Sequence, residues 1–189
     1  MNKVTENIYT RVSVRNFKDE KVPRDTVMAI LDVGCHAPSS MNRQALAYGI
    51  VENKEKAYEY SERAKRLRVE GEEMKGNPNS YVIEKLSDPD YNIFFNSPVQ
   101  IFIFASPEAT APIEDGSMAA QNMMLAAHSL GYGTCFIGFA QGLGRDTEFR
   151  NDLDIPEDYT YVGALVLGRP AESTEPRPKK SPRITRWIQ

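Results

Sequence analysis

The run Pro98–Ala105, PVQIFIFA, limits what this chain can fold into more than any other stretch. A strand with one wet face alternates apolar and polar residues. A strand apolar at nearly every position has no wet face, so both faces must be covered by other elements. Residues 112–130 carry a similar demand. Pro112, Glu114 and Asp115 suit a helix N-terminus, and Gly131 suits the position just past a helix end. Met118, Met124, Leu125, Ala126, Ala127 and Leu130 make that helix apolar over most of its circumference, which predicts that it is buried.

Shorter signals fill in the rest. Val4 and Ile8, four apart, suit a short amphipathic helix. RVSVRNF, residues 11–17, is rich in β-branched residues and reads as extended. Pro23 stands where a helix would start, and Val27, Ile30, Leu31 and Gly34 follow at helical spacing. That helix ends before the turn-forming cluster Ala37-Pro38-Ser39-Ser40. Leu46–Val51 and Tyr161–Leu167 read as strands. Between about 52 and 97 lies a charged helical excursion, EKAYEYSERAKRLRVEGEEMKG followed by YVIEKL, whose plain reading is a solvated face over the domain edge. The 189 residues fit a single domain, 1–189, with that excursion inserted. Mixed helices and strands of this kind indicate an α+β or α/β layer fold.

Composition closes off several classes. The net charge of −3 leaves no basic excess for nucleic acid. The first twenty residues hold charges and no apolar core of a secretory leader. The longest apolar run is too short for a bilayer. The two cysteines, Cys35 and Cys135, form no CxxC pair, which argues against a disulfide framework or structural zinc. Both are expected to be small buried fillers. The expectation is a cytoplasmic protein with no metal, no nucleic-acid partner and no membrane contact.

Four polar constellations stand out. In an extended segment Arg11, Ser13 and Arg15 share one face, and Val12 and Val14 share the other. The valines can anchor the segment, and two guanidinium forks with a hydroxyl suit a phosphate. The loop Ala37–Gln44, APSSMNRQ, gathers hydroxyls and amides that both donate and accept. Gly131–Phe139 has closely spaced glycines that let a flat ligand approach the backbone, with the N–H groups near Ile137 and Gly138 facing it. The tail from Arg169 reverses the chain's acidic balance, with Arg177 and Lys179 among its six basic residues. Each has a plainer reading: an exposed edge strand, an ordinary polar loop, a helix cap with a tight turn, and a solvated terminus.

Their order is more telling than any one of them. RVSVRNF, then APSSMNRQ, then GSMAAQNMMLAAHSLGYGTCFIG, then LGRP and a basic tail together resemble the nitroreductase superfamily, over nearly the whole chain. The resemblance implies an α+β nitroreductase-like fold, three-layered, with a central mixed or antiparallel sheet flanked by helices. It implies an intimate homodimer with flavin mononucleotide (FMN) at the interface. Arg11, Val12, Ser13 and Arg15 match positions that hold the FMN phosphate and the pyrimidine side of the ring. Pro38, Ser39, Ser40, Asn42 and Gln44 match a loop that reaches the flavin from the partner subunit. Ile137 and Gly138 match the turn beside flavin N5, and Arg177 and Lys179 match a late phosphate-binding pair, with Lys180 close behind. Two departures are visible. Ala45-Leu46 stands where the family often has Pro-Trp, and the chain is short after residue 170.

The resemblance further implies that NAD(P)H gives hydride to the flavin, leaves, and is replaced by a nitroaromatic, quinone or similar small acceptor. In such a ping-pong scheme the protein needs no catalytic nucleophile or base. That agrees with a chain holding only His36 and His128. His128, inside the apolar helix, is expected to be packed or capped. Specialised relatives, a dehalogenase or a flavin-fragmenting enzyme, and a non-catalytic flavin-binding protein are the alternatives.

Overall fold

The computed structural model describes residues 1–189. Strand β2 (Val99–Ala105) is buried at every residue. It pairs on one side with β1 (Leu46–Val51) and on the other with β4 (Thr160–Gly168), which in turn pairs with β3 (Gly133–Phe136). The order is β1-β2-β4-β3 and all pairings are antiparallel. Side chains alternate across the sheet. Val99, Ile101, Ile103 and Ala105 face helices α2 (Arg24–Cys35) and α5 (Pro112–Ser129) through Ile30, Leu31, Ala119 and Met123. Phe102 and Phe104 face the other way, toward α3 (Lys54–Glu73), α4 (Ser80–Ser87) and α6 (Thr147–Asp152). Helices therefore cover both faces, as the apolar run demanded, in a three-layer α+β arrangement.

A bulge adjusts this alternation. The register passes from Ile103–Gly163 to Phe104–Tyr161, leaving Val162 as an extra residue. One inserted residue flips which face later side chains take. So Tyr161 sits with the aromatic layer and Val162 with the α2–α5 layer, while beyond the bulge Leu165 joins the α2–α5 layer and Val166 the aromatic one. The aromatic layer packs edge to face, with Phe102 and Phe149 centroids 4.8 Å apart and Tyr60 and Phe149 5.0 Å apart. Such pairs add about 0.5–1.5 kcal/mol each beyond area burial.

Three expectations are corrected. Helix α5 is not buried all round: Asp115, Gly116, Ala119, Ala120, Met123 and Ala127 are buried, whereas Ile113 and Met118 are exposed. The excursion is not merely a solvated face, because Tyr60, Ser61 and Ala64 of α3 and Leu86 of α4 enter the aromatic core. Cys35 is exposed at the end of α2, and only Cys135 is a buried filler. Short α6 and the 3₁₀ turn Gly138–Arg145 gave no periodic signal in the sequence.

The N-terminal segment is fixed by its neighbours. Helix α1 (Lys3–Thr10) is capped by Asn2, whose side chain accepts from the Thr5 N–H. Beyond it, Val14 N–H donates to Thr134 O at 3.0 Å, and Ser13 makes a parallel bridge to Thr134. This covers the β3 edge of the sheet. On its other side Lys18 N–H donates to Arg169 O at 2.9 Å and Ala171 N–H to Asn16 O at 3.0 Å. The start of the tail is thereby held against residues 11–18. Gly131, at φ 76°, ends α5: its N–H donates to His128 O and the Tyr132 N–H to Ala127 O. No helix is long and apolar enough to cross a membrane.

Candidate functional site

Two cavities meet where residues 11–15 run between β3 and the tail. The first, about 800 Å³, is lined by Arg11, Val12, Ser13 and Arg15 together with Arg177 and Lys179. The sequence placed all six at one site, and the structure brings them together. The tail reaches there because Ala171 and Glu172 are bonded to Asn16, which turns the chain back along the N-terminal segment. Arg11, Arg15, Arg177 and Lys179 take part in no ion pair. Arg11 Nη1 is shut off from solvent and meets no acceptor. Buried donors are nearly always paired, so an unpaired guanidinium N–H marks a place for an anion. Glu172 and Glu175 also line this cavity and limit its positive charge. Of the two valines expected to anchor the segment only Val14 is buried, while Val12 lines the cavity.

The second cavity, about 740 Å³, shares Arg15 and Arg177 with the first and continues past Cys135, Ile137 and Gly138. Both volumes suit a small-molecule site. A Cβ at Gly138 would meet nothing within 4 Å, so backbone here is open to a flat ligand. Ile137 N–H is spent on Ala164 O at 2.8 Å. The N–H this turn offers is therefore that of Gly138, first in the 3₁₀ turn, where helix geometry leaves it without an internal partner. The other two glycines of the block serve packing and capping: Gly131 is the helix end, and a Cβ at Gly133 would meet Val14 Cγ2 at 2.5 Å. Burial pushes the Cys135 thiol above its usual range, with Arg15 and Ser13 pulling it back. A thiol held protonated is a poor nucleophile.

The loop Pro38–Gln44 lies apart from both cavities. Pro38, Ser39 and Gln44 line a pocket of about 110 Å³ with Cys35, Tyr48 and Asp115. Asn42 and Gln44 are bonded to each other, Nε2 to Oδ1, at 3.1 Å. Met41, Asn42 and Gln44 have φ of 54°, 54° and 52°, left-handed backbone that non-glycine residues adopt at a cost. The loop is held by one local bond and two long-range ones. Gln44 N–H donates to Ser39 Oγ at 3.1 Å, Thr110 Oγ1 to Ser40 Oγ at 2.7 Å, and Ser40 N–H to Asp115 Oδ1 at 2.9 Å. Within one chain, then, residues 11–15 and 38–44 form two separate surfaces. His36 is exposed, bonded through Nδ1 to Asp32 O at 2.9 Å, and lines neither cavity.

A model of the nitroreductase family matches residues 8–169. The chain belongs to the nitroreductase family. A nitroreductase from Bacteroides fragilis, solved with bound FMN, superposes with a TM-score of 0.82 at 28% identity, covering 100% of this chain and 99% of its own. An FMN reductase [NAD(P)H] of Bacillus subtilis is 27% identical over 188 residues, spanning 95% of this chain and 70% of its own length. A Methanothermobacter thermautotrophicus protein, provisionally named NADH dehydrogenase/NAD(P)H nitroreductase, is 28% identical over 176 residues, spanning 90% and 78%.

One wall of the second cavity comes from the 52–97 excursion, where no site residue is expected from the sequence. Arg68 of α3, Tyr81 and Lys85 of α4, and Tyr91 and Phe95 after it all line that cavity. Their charge gives the excursion the pattern of a solvated face. Tyr81 and Lys85, four apart on a helix, were the signal that an aromatic and a cation share one face. Asp115 was also overlooked as anything but a helix N-terminal acid, although it is 2% exposed and its Oδ2 has no partner.

Proposed function

We propose that this chain is an FMN-dependent oxidoreductase that draws on NAD(P)H and reduces nitroaromatic, quinone or similar small acceptors. The observation that carries the reading is Arg11 Nη1, buried and unpaired, in a cavity where Arg15, Arg177 and Lys179 converge without ion-pair partners. The residues fit the cofactor on three counts: a donor set for a phosphate, an open backbone at Gly138 for a flat ring, and cavities of adequate size.

Arg11 and Ser13, beside Val12, hold the phosphate, with Arg177 and Lys179 supplying further positive charge. Arg15 lines both cavities, and its guanidinium would stabilise negative charge on the pyrimidine edge of a reduced flavin. Ile137 and the Gly138 N–H would face the N5 side of a bound flavin. When bound, FMN supplies the redox chemistry, taking hydride from NAD(P)H and passing it to the acceptor, and the two reactants use one cleft in turn. No side chain acts as nucleophile or general base in this scheme.

Pro38, Ser39, Ser40, Asn42 and Gln44 complete the site from a second copy of the chain in a homodimer. The apolar side chains Met28, Met118, Trp187 and Ile188 are exposed in the single chain, surface that such an interface could cover. The test is an absorption spectrum of the purified protein before and after anaerobic NADH or NADPH, with sedimentation to give its mass. Flavin bands that bleach, on a particle of two chains, support the proposal. Bound flavin that stays oxidised with both donors replaces the enzyme with a binding protein. Protein that cannot be loaded with FMN overturns the reading.

A further inference from the structure

The second cavity has a wall that holding the flavin leaves unused. Its lining includes four cations, Arg15, Arg68, Lys85 and Arg177, and no aspartate or glutamate, in a chain whose net charge is −3. Arg15 and Arg177 also face the phosphate cavity. Arg68 and Lys85 do not, and they come from the excursion between β1 and β2.

The two are held differently. Arg68 Nη2 lies 2.6 Å from Glu72 Oε1, and Glu72, 2% exposed at its side chain, also holds Lys75 at 2.7 Å. Glu72 further accepts the Asn79 N–H at 3.3 Å, so one buried carboxylate braces Arg68 and the connection to α4 together. Lys85 has no acidic partner. Its Nζ sits 4.7 Å from the Tyr91 ring centroid and 5.9 Å from that of Tyr81. Ring faces attract an ammonium without neutralising it. Lys85 is therefore positioned at the cavity with its charge still available to an anion. Phe95 and Phe139 add flat apolar surface beside it.

We propose that this wall is an anion subsite for the second reactant, and that the reactant is a flat aromatic molecule bearing a carboxylate or phosphate. Lys85 bonds the anionic group, Arg68 strengthens the local field, and the rings of Tyr81, Tyr91 and Phe95 take the flat part. The inference rests on the flavin-oxidoreductase reading for its reaction. An anionic group on an aromatic frame has two sources here, an aromatic acid acceptor or the phosphates of the nicotinamide donor.

The experiment is calorimetric titration of the FMN-loaded and FMN-free protein with 4-nitrobenzoate and with its neutral match 4-nitrobenzamide, followed by steady-state kinetics with both acceptors and with NADH and NADPH. The loaded wild type should bind the carboxylate at least about tenfold tighter than the amide. Lys85→Gln should remove most of that preference and Lys85→Glu reverse it, with Arg68→Gln giving a smaller loss and FMN content remaining one per chain. A rise in KM for the donor in Lys85→Gln, with acceptor preference unmoved, would assign the subsite to the donor's phosphates. No preference in the wild type, together with no change in donor or acceptor parameters in Lys85→Gln, overturns the proposal. Failure of the flavin reading shows itself separately, as protein that holds no FMN or is not reduced by NAD(P)H. The titrations of the flavin-free protein would then still measure the carboxylate preference.

Discussion

Ser40 N–H donates to Asp115 Oδ1 at 2.9 Å, joining the loop after α2 to the first turn of α5. Asp115 is 2% exposed, and its other oxygen faces no partner. The carboxylate suits the positive end of the helix and is an acceptor for a loop whose backbone is strained at Met41, Asn42 and Gln44. Asp115→Ala removes the acceptor and strands the Ser40 N–H. A hydrogen bond to a charged group contributes about 1.5–3 kcal/mol. For a chain of this size that lowers Tm by roughly 3–12 °C. If the loop reaches the flavin of a partner, FMN affinity should also fall about tenfold, or about 1.4 kcal/mol. Asp115→Asn keeps an oxygen for Ser40 and should lose less of both. Thermal unfolding and a fluorimetric FMN titration read the two effects. FMN binding as tight as wild type in Asp115→Ala would take the loop out of the flavin site.

Gly133 carries a packing constraint that bears on function. A Cβ there would meet Val14 Cγ2 at 2.5 Å and Val14 Cβ at 2.6 Å. Real side chains do not approach so closely, so Gly133→Ala should push the 11–15 segment off β3 at a cost of about 1–3 kcal/mol. Arg11, Ser13 and Arg15 would move with it, and FMN affinity should fall alongside Tm. Val14→Ala removes the Cγ2 contact and keeps the Cβ at 2.6 Å, so it relieves the clash in part. The double variant should be more stable than the sum of the single losses, with a coupling of about 0.5–3 kcal/mol. A strictly additive cycle from thermal or urea unfolding would show that the two residues do not constrain each other.

The elements were legible where one physical signal dominated. The PVQIFIFA run specified a strand covered on both faces, and Gly131 specified the end of α5, because burial and left-handed backbone each leave few alternatives. Alternation put Arg11, Ser13 and Arg15 on one face, the family pattern pointed to Arg177 and Lys179 in the basic tail, and the structure brings all five to one cavity through the Asn16 contacts. The excursion was misjudged because charge on a helix is ambiguous. Arg63 and Lys65 are charged yet mostly buried at their side chains, paired with Asp146 and with Glu62, and Arg68 faces a cavity. Local sequence cannot tell a cation in water from one over a ring or beside a carboxylate brought from 83 residues away. Helix α6 escaped notice for a related reason: at six residues it spans under two turns, too short for periodicity to show.

Arg11 and Arg15 should separate by ligand. Arg11 offers the buried, unpaired Nη1, so Arg11→Gln should weaken FMN by about a hundredfold, in keeping with roughly 2–3 kcal/mol for a charge-assisted bond. Riboflavin lacks the phosphate and should bind the Arg11→Gln variant as it binds wild type. Arg15 lines both cavities. Arg15→Gln should weaken both ligands and lower the midpoint potential of bound flavin, because the cation that favours the anionic reduced form is gone. Parallel titrations with FMN and riboflavin, plus a potentiometric titration of loaded protein, measure this. An equal loss of both ligands in Arg11→Gln would remove the phosphate from Arg11.

His128 gives the fold a dependence on pH that can be traced to one ring. Thr10 Oγ1 donates its proton to Glu6 O at 2.8 Å, so its lone pair accepts from His128 Nε2–H at 2.9 Å, and the neutral ring carries its proton there. Burial, and next the Arg11 charge, hold the His128 pKa below its ordinary 6.5. The unfolded chain then binds the proton more readily than the folded one. Stability from this group is complete above about pH 6.5 and is lost as pH falls through the folded value, where the loss levels off. His128→Asn keeps a donor toward Thr10 and cannot titrate, so its urea midpoint should change less between pH 7 and 5 than that of flavin-free wild type. Loading with FMN should shrink the wild-type dependence, because a phosphate on Arg11 offsets the charge that keeps the proton off His128. Equal pH slopes for wild type and His128→Asn would place the acid sensitivity of this range elsewhere, and not in Asp152, whose carboxyl is held below its usual range by bonds from Lys56 and Tyr60 and so loses its contribution only at lower pH.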